Sequence, residues 1–482
     1  MSLEQVKVRV SDLIIGMYVS QLDRPWSQTP FPLQGFLLRT PADVQKIRSY
    51  CDYVFIDLTK GVGTLDKAGA PVSINKKVVD VAQKPSKNLG LTPLQPKSDF
   101  ADRASPAKPI IVKRNVYSEV VPLNVEIKQA ERALKTLRGH FILASKLISK
   151  GRQIDYPALR KSVDDMVESV IRCPDAFTWL MKLRIKDQYS HDHSMRTALW
   201  ATQFARYIGL AKDEISVLTL GTLLKDIGKI HLPASLLNKE DRSSEQQEEY
   251  QKFVDYGVKM LKDRQVEPRV ISVVRHHCER NDGSGFPQGL TGSKIPFLAR
   301  IAGVATFYDL LSTPRPGATT LSPSKAISTL YNMRGKEFQD DLVVQFIQSV
   351  GLYPTGTLVE MTTGDIGVVV EQDPKSRLTP QIAVVPHLRD NSPAKNYFLI
   401  NLKDEDEARK SLLEHGYGRA ANVQKLAIAR DLQFSGHNID MEAVAGLFMS
   451  AVEEKVTEAV NDSTGGGFFS KFKRSMSKSG QV

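Results

Sequence analysis

The sequence predicts a mainly α protein, with a helical core, a small α/β module ahead of it and a small β-rich extension behind. Three observations carry this. Between residues 123 and 350, apolar residues recur at spacings of three and four, the period of one helix face. Before residue 57 and after residue 351, apolar and polar residues alternate, as they do along half-buried strands. Between front module and core, residues 58–122 are dominated by Pro, Lys, Ser and Gly and lose all sustained periodicity.

Size and composition fit such a multi-part chain. At 482 residues it exceeds a single usual domain, and 41% hydrophobic with 25% charged residues describes a globular protein. Cys51, Cys173 and Cys278 are scattered and odd in number, so no disulfide framework is expected and a reducing cytoplasm fits. No apolar run approaches the length needed to span a bilayer. The net charge of +11 points to an anionic partner. Nucleic acid is not expected, because no recognition helix or aromatic-basic repeat is present.

In chain order, Val6, Val8 and Val10 alternate with Lys7 and Arg9 as a first strand, and Ile14 to Val19 reads as a second. A Pro-punctuated loop carrying Trp26 and Phe31 leads to a short helix from Pro41 to Tyr50 and a strand from Tyr53 to Asp57. Residues 58–122 read as a linker that buries too little to stay ordered. The stripe Ile127, Ala130, Leu134, Leu137, Phe141, Ala144 and Ile148 predicts a long helix closed by Gly151. Its apolar face packs either on its own domain or on a second chain as a homodimer. Pro157, Pro174, Pro268 and Pro296 each open a further helix. Thr197, Trp200, Phe204 and Ile208 line one helix face; Ile215, Leu218 and Leu223 line the next. Thr357–Met361 and Ile366–Glu371, joined by Thr-Thr-Gly-Asp, predict a β-hairpin, with a third strand near Ile382. Helices resume at Glu405–Leu413 and Met441–Val460. The organisation expected is therefore 1–57, linker 58–122, helical domain 123–350, extension 351–460 and tail 461–482. In the tail, Phe468, Phe469, Phe472 and Met476 alternate with Lys471, Lys473, Arg474 and Lys478, a pattern suited to an anionic membrane surface.

Two runs carry the chemistry. Gly221–Ile230 ends an apolar helix in Lys225, Asp226, Gly228 and Lys229. His276–Pro287 places paired histidines before a Gly-rich turn. With His193 upstream, they suggest metal-assisted phosphate chemistry.

These residues resemble the HD-GYP domain, a phosphohydrolase type that degrades cyclic di-GMP. The front module, through Gly16-Met-Tyr-Val, Leu22-Asp-Arg-Pro-Trp and Pro30-Phe, resembles an uncharacterised domain often found ahead of it. The resemblance implies an all-helical HD-type phosphohydrolase core and a centre of two divalent ions about 3.5–4 Å apart. His193 matches the family's first His, Asp226 the acid of the His-Asp pair, Lys229 the assisting cation, and His277 the first paired His. Catalytic roles fall on Asp226 and Lys229. Four positions depart: Lys225 stands for the His of the pair, Phe253 for the middle His, Cys278 for the second paired His unless His276-His277 are the pair, and Thr306 for the late Asp. One ion (Fe, Mn or similar) held weakly by His193, Asp226 and His277, with Cys278 as a soft fourth ligand, is one reading. No ion at all, with these residues as fold remnants, is the other. Arg300, Arg315 and Lys229 are the expected contacts to an anionic dinucleotide; structural salt bridges are the alternative for the two arginines. The loop of Gly285, Phe286 and Pro287 is read as exposed and suited to docking a partner.

The expected function is a cyclic di-GMP signalling protein with a degenerate site, acting as nucleotide sensor or docking module. The alternative is an active metal-dependent phosphodiesterase with an unusual ligand set. Expected partners are cyclic di-GMP or a related dinucleotide and GGDEF-type or other signalling proteins. The expected location is the cytoplasm, with peripheral contact at the inner membrane through the tail.

Overall fold

A computed structural model describes residues 5–23, 29, 31, 35–57, 107–183, 189–237, 239, 241–313, 321–373, 376–385, 397–433, 439–448 and 450. Trp26, residues 58–106, Arg315 and the tail 461–482 lie outside the described residues.

The front module is a four-stranded antiparallel sheet with one helix. β1 (Gln5–Arg9), β2 (Tyr18–Leu22), β3 (Phe36–Leu37) and β4 (Tyr53–Asp57) pair in the order β1-β4-β2-β3. The second strand starts at Tyr18, later than the apolar run suggests, because Gly16 turns the chain at φ +97°. α1 (Pro41–Arg48) begins with a capping box in which Thr40 and Asp43 exchange side-chain and backbone bonds. Asp43 also meets Arg334 of the helical domain at 2.7 Å, and Phe36 packs edge-on against Tyr331, which fixes the module to the core.

The end of the expected linker is packed. Residues 107–122 run along the helical domain, with Lys113 N donating to Ile208 O at 2.9 Å and Val121 N donating to Arg172 O at 2.9 Å. Both acceptors sit at helix C-termini, whose last carbonyls lack partners within the helix.

The core contains α2 (Leu123–Ser149), α3 (Tyr156–Arg172), α4 (Pro174–Leu183), α5 (Tyr189–Tyr207), α6 (Lys212–Leu224), α7 (Ala234–Leu237), α8 (Ser244–Gln251), α9 (Phe253–Lys262), α10 (Pro268–His276), α11 (Phe297–Ser312), α12 (Pro323–Asn332) and α13 (Asp340–Val350). The stripe on α2 packs within its own chain, against α3 and α4: Ala130, Leu134, Leu137, Phe141, Ala144 and Ile148 are all buried. Arg172 of α3 grips Glu126 of α2 through two bonds of 2.8 Å. α5 and α6 lie at the centre, with Phe204, Ile208, Ile215 and Leu218 fully buried.

The extension is a five-stranded antiparallel sheet. β5 (Leu358–Met361), β6 (Ile366–Asp373), β7 (Ser376–Val384), β8 (Phe398–Asn401) and β9 (Ile428–Asp431) pair in the order β8-β7-β6-β5-β9, with α14 (Glu405–Glu414) alongside β8. Trp179 of α4 donates to Val370 O at 3.2 Å and stacks on Phe448, tying sheet and C-terminal helical residues to the core.

Candidate functional site

The site forms where α6 ends. Its last helical residue is Leu224, and the chain tightens into a 3-10 turn over Ile227–His231. In that geometry residues three apart lie in line, so Asp226 and Lys229 share a face although the α-helix does not continue. Lys229 Nζ lies 2.7 Å from Asp226 Oδ1. Gly228 is needed here, since a Cβ would lie 1.9 Å from the carbonyl oxygen of Phe253. The turn is thereby pressed against the start of α9.

Lys225 points inward and is fully buried. Its ammonium bonds the Asp226 carboxylate and lies 3.0 Å from His193 Nε2. His193 comes from α5, and its Nδ1 is 2.7 Å from Asp309 Oδ2 on α11. A carboxylate accepts only, so Nδ1 carries the proton and Nε2 offers its lone pair to Lys225. Arg196, one turn after His193, donates to Asp309 at 3.1 Å.

The electrostatics follow from this packing. Burial, joined by the Lys225 charge, pulls His193 down to about 4. Burial likewise takes His277 down to about 3, so both imidazoles are neutral near pH 7. Burial alone drives Asp226 and Asp309 upward. Lys225 and Lys229 outweigh it at Asp226, and Arg196 with His193 outweighs it at Asp309, so both carboxyls lie below their ordinary range. Burial pulls Lys225 below its ordinary range, with the Asp226 carboxylate acting against that pull, and the cluster pairs the side chains of Lys225, Lys229 and Arg196 with two carboxylates.

His277 belongs to this cluster electrostatically, with Asp226, Lys225 and Lys229 all acting on it. Its Nδ1 donates to Val274 O at 2.8 Å, leaving Nε2 to face the Cys278 thiol at 3.2 Å. Burial pushes that thiol up to about 12, so Cys278 is a protonated donor rather than a thiolate ligand. His276 turns elsewhere, bonding Ser272 O at 2.9 Å and Gln288 Oε1 at 3.2 Å. The paired-histidine register with His276 as ligand is therefore not the geometry found.

The expectation of an exposed Phe286 is corrected. It is only 8% exposed and packs with Leu232, Leu236, Phe253, Val254 and Cys278 as a small apolar cluster. Glu279 explains the inward pull, since its carboxylate accepts from Gln288 N at 2.8 Å and Leu290 N at 2.9 Å. Gly285 lets the loop close on itself, because a Cβ there would lie 2.3 Å from Arg280 N. Pro287 is half-buried. Two of the departing positions, Phe253 and Cys278, are thus packed as hydrophobes, and Phe253 also lies 5.0 Å from the Lys229 ammonium. Thr306 bonds its own helix at Ala302 O, 2.7 Å away.

Arg300 is joined to Gln339, which in turn donates to Lys108 O at 2.9 Å, while its Nε is buried without a partner. Among the described residues, no hydrogen bond or ion pair links Arg300 to Lys229. Arg315 lies outside the described residues.

With Lys225 in place, the described residues do not fit a metal ion. Among those described, no group of three or more His, Cys, Asp or Glu side chains is arranged to hold one. An ammonium already bonds both His193 and Asp226, and its charge opposes a second cation. Sequence reasoning missed Asp309 and the role of Arg196. The available signal was a lone acid in the largely apolar α11, which calls for a buried partner.

Fold and site together define an HD-domain protein. The HD domain model matches residues 180–342, and that of a domain of unknown function (DUF3391) matches residues 5–158. A cyclic di-GMP phosphodiesterase of Pseudomonas aeruginosa is 30% identical over 391 residues, covering 80% of this chain and 86% of that protein. The chain belongs to the HD-GYP family of HD-domain proteins. The cyclic di-GMP phosphodiesterase response regulator RpfG of Xanthomonas campestris is 35% identical over 138 residues, 28% of this chain and 36% of that protein. Among solved structures, an HDG"Y"P protein from Bdellovibrio bacteriovorus aligns over 71% of this chain and 98% of its own, with a TM-score of 0.39 and 14% identity. No described helix is long and apolar enough to cross a membrane.

Proposed function

We propose that the chain is a cyclic di-GMP signalling protein that does not hydrolyse the dinucleotide, and acts as a nucleotide sensor or a protein-docking module. One observation carries this reading: Lys225 Nζ lies within hydrogen-bond reach of both His193 and Asp226, the two resemblance-matched ligand positions nearest it. Water activation by a bound cation needs open coordination positions. Here the chain's own ammonium takes up both donors. Asp226, the expected catalytic acid, spends its oxygens on Lys225 and Lys229.

The ligand class is supported by the names of the relatives, which are phosphodiesterases acting on cyclic di-GMP. Lys229, with 30% of its side chain exposed, is the cation of the cluster best placed to meet a phosphodiester oxygen from solvent. Those same names favour a second reading, an active phosphodiesterase with an unusual ligand set. GGDEF-type proteins as partners, a homodimer, and membrane contact through the tail belong to the proposal as well.

Calorimetry with cyclic di-GMP tests the sensor reading. Binding by the wild type, weakened about tenfold or more in Lys229→Ala, is the expected result, since a charge-assisted bond contributes about 1.5–3 kcal/mol. Absence of binding by folded protein at high ligand concentration leaves the docking module.

A further inference from the structure

The surroundings of Lys225 are those of a cation site. His193 presents Nε2 as an acceptor because Asp309 fixes the proton on Nδ1 at 2.7 Å, the arrangement that orients an imidazole toward a metal. Asp226 adds a carboxylate oxygen, and the Asp226 and Lys225 charges both reach His277. What stands among these acceptors is a fully buried ammonium on a four-carbon stem rooted at the end of α6.

We infer that Lys225 is a built-in replacement for the metal: its ammonium occupies a cation hole formed by His193 and Asp226, and truncating its side chain opens that hole to a free ammonium or a divalent ion. The reason is charge balance. Asp226 and Asp309 are both buried acids, and buried carboxylates persist only when paired. Arg196 answers Asp309 from α5 and Lys229 reaches only Oδ1 of Asp226. Oδ2 of Asp226 and Nε2 of His193 converge on Lys225. An apolar side chain of the same length would leave these two acceptors facing hydrocarbon. A tethered ammonium needs no ion from solution, so the centre holds its form when metals are scarce. The inference shares its site with the proposed function but not its readout, since nothing in it depends on nucleotide binding.

The test uses the full-length chain, without nucleotide. Metal content of wild-type protein purified without chelator is expected to fall far below one ion per chain, and Mn²⁺ is expected to leave its melting temperature unchanged. Lys225→Ala is expected to melt lower than wild type. Methylammonium chloride at tens of millimolar is expected to raise it more than sodium chloride of equal ionic strength, and Mn²⁺ to raise it as well. Lys225→Met, whose stem fills the hole without charge, is expected to melt lower than wild type and to respond to neither cation. The inference is overturned by about one bound metal ion per wild-type chain, by wild-type stability in Lys225→Met, or by a Lys225→Ala protein indifferent to both cations. If Lys225→Ala does not fold, wild-type metal content and the Mn²⁺ response decide.

Discussion

Asp309 Oδ2 lies 2.7 Å from His193 Nδ1, so an acid on α11 sets which nitrogen of a histidine on α5 carries the proton. Everything inward of His193 depends on that choice. With the proton on Nδ1, Nε2 accepts from Lys225, and the chain of pairs runs through Asp226 to Lys229 at the surface. Asp309 is fully buried, and Arg196 and His193 both bond it.

Asp309→Asn therefore removes a buried charge that two partners face. Breaking a buried pair from one side costs about 3–5 kcal/mol. Urea denaturation should show a loss of that order, with the unfolding slope unchanged. A loss under about 1 kcal/mol, the median for exposed pairs, would show that Asp309 does not organise the cluster.

Acid should weaken the fold earlier than carboxylate protonation alone explains. His193 titrates at about 4 and His277 at about 3 in the folded chain, against about 6.5 when unfolded. The unfolded chain thus takes up protons first. The stability held by neutral imidazoles is present above about pH 6.5 and is lost as pH falls toward the folded values. Asp226 and Asp309, also depressed, add their loss only below about pH 4. Urea midpoints measured from pH 8 to 4 should be level above neutrality and decline from about pH 6.5. A level profile down to pH 5 would contradict neutral buried histidines.

Phe286→Ala distinguishes a buried anchor from a docking residue. Phe286 sits against Phe253, Leu232 and Cys278, and deleting a buried Phe side chain costs about 3–5 kcal/mol. An exposed loop residue would change stability by no more than about 0.5 kcal/mol. Thermal or urea unfolding reads the difference directly.

Much of the architecture was legible because it rests on local pattern. The α2 stripe, the proline-opened helices and the β5–β6 hairpin all appear where periodicity and turn residues place them. Whether the α2 stripe faced its own chain was not legible, since the same face suits either partner; α3 and α4 cover it. The packing of 107–122 was hidden for a related reason. An extended segment carries no period, and its bonds go to carbonyls at distant helix ends. At the site, His193, Asp226, Lys229 and His277 were named from the family resemblance; His193, Asp226 and Lys229 lie together, and His277 is within reach of their charges. Asp309 was not, because a lone acid announces that a partner exists without naming it. Phe286 was misread because a Gly-rich loop ordinarily faces solvent, and only Glu279 capturing two loop amides turns it inward.

The central claim is that an ammonium stands where catalysis needs a metal, and turnover tests it most directly. Full-length protein, purified without chelator and supplied with Mn²⁺ or Fe²⁺, is incubated with cyclic di-GMP, and linear and mononucleotide products are followed by chromatography. The account predicts no steady hydrolysis above the uncatalysed background. Sustained turnover that Asp226→Ala abolishes would contradict it.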